Sequence, residues 1–214
     1  ISTERFISFE GIDFSGKTTQ IGYLKAYLEA RNFRVEVIRE PGGTAISEKI
    51  RELLLDIKHF EMSERCEIFL YSAARTQLVK EKIIELLKQG YYILADRYVD
   101  STTAYQGYGR GIDLEMVKQV NSAATIGVMP HITFYLKIRP EESERRRLTG
   151  KRAADRLESA GIEFYRRVFN GYNSLAAENP ERFVVLDATA PKPDVHNEII
   201  KALQSKSFLI YAEG

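Results

Sequence analysis

The chain has 214 residues, enough for one well-buried domain and short for two. Charged residues make up 29% and hydrophobic residues 44%, with a formal net charge of +1, which excludes a global nucleic-acid or membrane footprint and leaves only local basic sites. The lone cysteine, Cys66, excludes an intrachain disulfide framework and fits a reducing compartment. No apolar run approaches the ~20 residues that span a bilayer, and the start lacks a signal-peptide layout, so a cytoplasmic location is expected.

In chain order, Phe6–Glu10 reads as a buried strand ending at Gly11. Ile21, Leu24 and Leu28 recur at helical spacing within 18–31. Val35–Ile38 is a second strand, closed by Glu40-Pro41-Gly42-Gly43, where proline and two glycines break regular structure. Helical patterns follow on Ile46, Ile50, Leu53 and Leu54, then on Cys66, Phe69, Leu70, Ala73 and Ala74. A further helix carries Ile83, Ile84 and Leu87 and stops at Gly90. Tyr92–Asp96 is the third strand, and Leu114, Val117 and Val120 mark a helix with Asp113 as its N-cap. Ile132–Leu136 and Phe183–Asp187 are the fourth and fifth strands. Between them the pattern predicts a short helix opening at Pro140, a basic stretch, and a helix from about 158 to 177. A last helix runs over about 193–204. Near-continuous apolar strands alternating with helices imply an α/β fold, a parallel sheet covered on both faces, in one domain over 1–214.

The most specific signal is Gly11-Ile12-Asp13-Phe14-Ser15-Gly16-Lys17-Thr18, a full G-x-x-x-x-G-K-[ST] match followed by Thr19. It follows an apolar strand and opens an amphipathic helix, the context in which backbone N–H groups and a helix N-terminus cradle phosphates. Lys17 would reach the β/γ-phosphates of ATP, and Thr18 would place its hydroxyl on Mg²⁺. Asp96-Arg97 closes the third strand, at the carboxyl end where open α/β sheets bind ligands. A carboxylate there can hold Mg²⁺ or its waters, and a guanidinium can bind a transferring phosphate; a surface salt bridge is the plainer alternative. No guanine-reading Asn-Lys-x-Asp is present, which argues against a GTPase, and the size suits a small-molecule kinase.

The sequence resembles the thymidylate kinase family along nearly its whole length. The resemblance is carried by Phe9-Glu10-Gly11-Ile12-Asp13, Arg39-Glu40-Pro41-Gly42-Gly43-Thr44, Arg51-Glu52-Leu53-Leu54-Leu55, Ala73-Ala74-Arg75, Asp96-Arg97-Tyr98, Ser101-Thr102-Thr103-Ala104-Tyr105-Gln106-Gly107 and Asp155-Arg156. It implies a three-layer P-loop kinase fold with a five-stranded parallel sheet, a lid and a homodimer, phosphorylating dTMP to dTDP with Mg-ATP on the route to dTTP. It further implies that Asp13 bonds the acceptor's 3′-hydroxyl and that Arg51 and Arg97 hold its phosphate. Tyr71 would stack on thymine, where phenylalanine is usual, and Arg75, one helical turn on, would bond a base carbonyl. Phe69 is the alternative stacking ring. Thr102 and Gln106, in a polar loop, would reach the remaining base edges. Tyr105 would lie against the sugar and exclude a 2′-hydroxyl by sterics.

The densest positive segment lies at about 145–157, from Arg145-Arg146-Arg147 to Lys151-Arg152 and Arg156. No aromatic residue interrupts it, which weakens a single-strand-binding reading. With Phe14 rather than a base beside Asp13, the chain resembles the bacterial type in which the lid delivers the catalytic cation. Arg152 and Arg156 lead as candidates, Lys151 follows, and spacing does not choose among them. His59, His131 and His196 show no metal-ligand spacing. The other readings are a kinase for a different nucleotide or nucleoside, a nucleotide-dependent switch with little turnover, and RNA binding by the basic segment. The apolar Ser207–Tyr211 tail packs on the domain or on a partner.

Overall fold

The computed structural model describes residues 2–149, 156–157 and 160–205, so Lys151, Arg152 and the Ser207–Tyr211 tail lie outside the described residues. Five strands, β1 (Phe6–Glu10), β2 (Val35–Arg39), β3 (Tyr92–Asp96), β4 (Ile132–Lys137) and β5 (Phe183–Asp187), form one parallel sheet in the order β2-β3-β1-β4-β5. Central β1 is buried at every position, which is why it reads as an unbroken apolar run rather than an alternation. Its side chains divide between two cores. Ile7 and Phe9 join Leu94, Phe134 and the α1 residues Ile21, Leu24 and Leu28, while Phe6 joins Ile38, Ile93, Ala95, Leu78 and Ile83 on the opposite face. The sheet is therefore the middle of three layers.

Among the described residues the helices are α1 (Lys17–Glu29), α2 (Ala45–Leu55), α3 (Glu64–Leu78), α4 (Ile84–Lys88), α5 (Val99–Thr102), α6 (Leu114–Thr125), α7 (Pro140–Thr149), α8 (Ile162–Glu178) and α9 (Lys192–Ser205). A π-helical turn over Val79–Ile83 joins α3 to α4, and a second, over Thr103–Gly109, extends α5. Asp113 caps its helix as expected, accepting from Met116 N, and Thr44 caps α2 by accepting from Ser47 N. No helix among the described residues is long and apolar enough to cross a membrane.

Three local expectations differ from the structure. The stretch holding Thr102 and Gln106, expected as a polar loop, is helical over 99–109, because it packs along α8. Gly109 serves that contact rather than breaking the helix: a Cβ there would meet the Phe164 ring at 2.6 Å. On α3 the buried face is Glu67, Ile68, Ser72, Ala74, Arg75 and Leu78, whereas Cys66, Phe69 and Ala73 are exposed. The apolar pattern misread the face because this helix turns a carboxylate and a guanidinium inward, where each is paired. Finally, α8 begins at Ile162, after Gly161 with φ 86°, rather than at about 158.

Candidate active site

The loop after β1 and the end of β3 are brought together by strand register, since Phe9 pairs with Asp96. Gly11 is required at the loop's start: its φ is 136°, and a Cβ would sit 2.5 Å from the Leu136 carbonyl oxygen. Lys17, buried at the first turn of α1, donates from Nζ to the carbonyls of Gly11 and Ile12, both at 3.1 Å, and to Ser15 Oγ at 3.5 Å. Burial, with the nearby Arg97 charge, pulls its pKa down to about 8, still leaving it mostly protonated at neutral pH. Thr18 Oγ1 donates to Asp96 Oδ2 at 3.0 Å. The motif hydroxyl and the strand-end carboxylate predicted to share Mg²⁺ are thus side by side.

Beyond them opens a cavity of about 530 Å³. Asp13, Phe14, Gly16, Lys17, Thr18 and Thr19 line it from the loop side, and Arg51, Tyr71, Arg75, Arg97, Thr102, Tyr105 and Gln106 from the other elements. Gly11, Ile12 and Ser15 contribute backbone and fold to the loop but do not face the cavity. Arg97 is its pivot. It adopts a left-handed backbone, φ 73°, as does Phe14 at 59°, a conformation that costs such residues about 1–3 kcal/mol. Its Nη2 donates to Asp13 Oδ1 at 2.7 Å, and Nη1 donates to Gly11 O at 2.9 Å and Ser101 Oγ at 3.2 Å. Its guanidinium carbon lies 5.0 Å from the Tyr105 ring centre, a cation–π contact.

Asp13 also accepts from Tyr105 OH at 3.1 Å and Tyr165 OH at 2.9 Å. Burial would raise its pKa, but Arg97 and Lys17 outweigh it and hold the carboxyl down at about 2. The acid inside the phosphate loop is thereby paired within the site: it accepts from a guanidinium and two phenols while still bordering the cavity.

At the far end Arg75 is fully buried on α3. Nε and Nη2 reach Glu40 Oε2 at 2.8 and 2.6 Å, Nη1 donates to Asn121 Oδ1 at 3.1 Å, and Nη2 to Thr102 Oγ1 at 3.0 Å. Gln106 Nε2 donates to Glu67 Oε1 at 2.8 Å. Tyr71 borders the cavity, whereas Phe69 is 53% exposed and does not, so the alternative stacking ring is removed. Arg51 Nη1 donates to Pro41 O at 2.9 Å beside the same opening.

The basic segment divides. Arg146, on α7, borders the cavity and donates to Phe14 O at 3.2 Å and Ala188 O at 2.9 Å. Arg156 is not brought to the cavity: Nη2 bonds Glu67 Oε2 at 2.6 Å and Nε bonds Leu54 O at 2.8 Å. Its neighbour Leu157 does line the wall.

A phosphate loop opening on a cavity lined by a buried arginine coincides with the comparisons with known proteins. The thymidylate kinase family model matches residues 9–199. The chain belongs to the thymidylate kinase family. Among its relatives, the thymidylate kinase of Thermoanaerobacter sp. (strain X514) is 48% identical over 94% of this chain and 97% of that protein. That of Chlorobaculum parvum is 42% identical over 93% and 95%. The crystal structure of thymidylate kinase from Ehrlichia chaffeensis superposes with a TM-score of 0.76 at 36% identity, covering 93% of this chain and 98% of that one.

Membership of the thymidylate kinase family makes the site an enzyme's, that of a nucleoside monophosphate kinase. Several of its residues escaped the sequence reading. Tyr165 lies 152 positions from the Asp13 it bonds, and nothing in its helical neighbourhood marks it. Glu40 was visible only as part of the Arg-Glu-Pro-Gly-Gly run. Glu67 carries no mark in the sequence, and Arg146 stands within the basic segment, where only the packing sets it apart by bringing it to the cavity.

Proposed function

We propose that this chain is a single-domain cytoplasmic thymidylate kinase, transferring the γ-phosphoryl group of Mg-ATP to dTMP to give dTDP for dTTP synthesis. One observation carries the reading: the phosphate-loop groups Lys17 and Thr18 with Asp96, and the acceptor-type groups Arg97, Tyr105, Arg75 and Gln106, border a single cavity. Donor and acceptor ends then face each other across one space, as an in-line transfer requires.

In this reading the loop's N–H groups and Lys17 hold the donor phosphates. An oxygen of the acceptor phosphate forms the new bond to the γ-phosphorus while the bond to the bridging oxygen breaks and ADP leaves with that electron pair. The acceptor is already an anion at neutral pH, so no general base is required, and catalysis comes from alignment and charge. Arg97 and Arg51 hold the acceptor phosphate. Asp13 meets the sugar hydroxyl, Tyr105 crowds the 2′ position, Tyr71 stacks on the base, and Arg75, Thr102 and Gln106 read its edges. Arg97 stays cationic: burial opposes its charge, but Tyr105, Asp13 and other neighbours raise its pKa well above the ordinary value.

The adjacent hydroxyl and carboxylate of Thr18 and Asp96 are hard oxygen donors, which suit Mg²⁺. Among the described residues no group of three His, Cys, Asp or Glu side chains is placed to hold a metal ion, so these two would act with phosphate oxygens. The ion would neutralise charge on the transferring phosphates. Arg146 donates to a carbonyl of the phosphate loop and Arg156 is held by Glu67; Arg152 and Lys151 are the further candidates for the cation that meets the phosphoryl in transit. A homodimer accords with α2 and α3 packing on each other while leaving Ile46, Leu53 and Phe69 exposed. The reading gives nucleic acid and membrane no part.

The test is ADP release from Mg-ATP with dTMP, dUMP, dCMP, dGMP, AMP and UMP as acceptors. Strong preference for dTMP is expected. Turnover with another acceptor would keep the kinase and overturn the base-reading assignments, and no turnover with any would favour a nucleotide switch.

A further inference from the structure

The cavity's base end is backed by a charge that does not itself face the cavity. Glu67 projects inward from α3 with its side chain 1% exposed. It accepts from Gln106 Nε2 at 2.8 Å, Arg110 Nε and Nη2 at 3.2 and 3.0 Å, and Arg156 Nη2 at 2.6 Å. Burial would raise its pKa, but the bonds from Arg110 and Gln106 and the charges of Arg110 and Arg156 hold it below the ordinary carboxylate value. It is therefore ionised at neutral pH, and an ionised carboxylate can only accept hydrogen bonds.

That fixes the polarity of its neighbour. An amide has one donating and one accepting end, and only the NH₂ end can face a carboxylate. Gln106 lines the cavity, and its Oε1 accepts no hydrogen bond among the described residues. Its carbonyl oxygen is left as the end that meets a ligand. We propose that Glu67 is a specificity-determining positioning residue: by fixing the amide of Gln106, it makes the site demand an N–H donor on the acceptor base. Thymine and uracil carry that donor at ring N3. Cytosine carries a lone pair there, and two acceptors would oppose each other in a desolvated site. The inference rests on the acceptor reading proposed above and extends it from the residue that touches the base to the one that sets its polarity.

The experiment is kcat/KM for dTMP and dCMP with wild type, Glu67→Gln, Glu67→Asp and Arg110→Gln. A neutral amide at 67 can present either end, so Gln106 is free to reverse. Glu67→Gln should lower the dTMP:dCMP ratio by about tenfold or more, the size of one buried hydrogen bond lost or gained, mainly through KM. Glu67→Asp keeps an acceptor-only group and should hold the ratio nearer wild type. Arg110→Gln loosens the same cluster without changing the acceptor that Gln106 meets, and should leave the ratio within about twofold even where the Tm falls. Should Glu67→Gln fail to fold, the double variant with Arg110→Gln, which removes one of the charges left unpaired, gives the same reading. An unchanged ratio in the Gln variant overturns the role of Glu67 while leaving the thymidylate reading intact, as does an equal fall in Arg110→Gln. A wild-type enzyme indifferent to dTMP and dCMP overturns that reading and this inference together.

Discussion

The two ends of the cavity are built in opposite ways. The donor end is mostly local: Lys17 bonds carbonyls five and six residues before it, and longer steps, from Thr18 to the end of the neighbouring strand and from Arg146 to Phe14 O, only brace that loop. The acceptor end is assembled from afar. Arg75 meets Glu40 across 35 positions, Gln106 meets Glu67 across 39, and Asp13 meets Tyr165 across 152. A local device can lose one side chain without disturbing its frame. A non-local one is held together by the same buried charges that do its chemistry, so function and stability should fail together there.

The largest effect follows at the donor end. Lys17→Ala should lower kcat by about 10²–10³, the scale of losing one preorganised charge donor, with little change in Tm. Turnover near wild type would remove Lys17 from the transfer. At the acceptor end, Glu40→Ala strands the fully buried Arg75 guanidinium. Breaking a buried pair in this way costs about 3–5 kcal/mol, so chemical denaturation should show a large loss of stability together with loss of dTMP binding. A folded variant of unchanged stability that had merely lost dTMP affinity would mean the two ends are not different in kind.

The same contrast decides what was legible in the sequence. The strands could be read because buried parallel strands are continuous apolar runs, and the loop because its residues are contiguous. The 99–109 helix could not, since its polar residues and two glycines owe their helicity to α8 and the cavity rather than to propensity. The face of α3 was missed for a related reason: Glu67 and Arg75 point inward, and hydrophobic periodicity cannot register a buried charge whose partner lies on another element. The resemblance to a family supplied Arg75 and Gln106 as base readers, but Glu67, which orients one of them, carries no mark that sequence alone would show.

Tyr105 tests a smaller step within the acceptor end. Its ring packs under Arg97 and its hydroxyl reaches Asp13 at 3.1 Å, so ring and hydroxyl do separable work. Tyr105→Ala should relax the preference for dUMP over UMP by about tenfold, a steric gate being worth about one decade for each 1.4 kcal/mol. Tyr105→Phe should keep the gate, because the ring remains. Unchanged rejection of UMP by the alanine variant would sink the steric role.

The last test concerns protons and separates the acid at the end of β1 from the acid inside the loop. Glu10 is wholly buried and accepts from Tyr98 N at 2.8 Å, Ser101 Oγ at 2.7 Å and Tyr172 OH at 2.8 Å. Burial, with the nearby Asp100 charge, raises its pKa from 4.5 to about 7, while Ser101, Arg97 and Tyr98 act against the rise. Between those values the folded chain holds a proton that the unfolded chain has released. Stability from this group is therefore full below pH 4.5 and lost as the pH climbs towards 7, with a slope of at most about 1.4 kcal/mol per pH unit. Asp13 runs the other way. Its pKa falls from 3.8 to about 2, so its contribution stands above pH 3.8 and is lost only as the pH drops below it. Glu10→Gln should flatten the decline in Tm between pH 4.5 and 7 and leave the acid limb unchanged, whereas Asp13→Asn should do the reverse. A Glu10→Gln profile parallel to wild type would assign the decline to other groups and remove the distinction between the two acids.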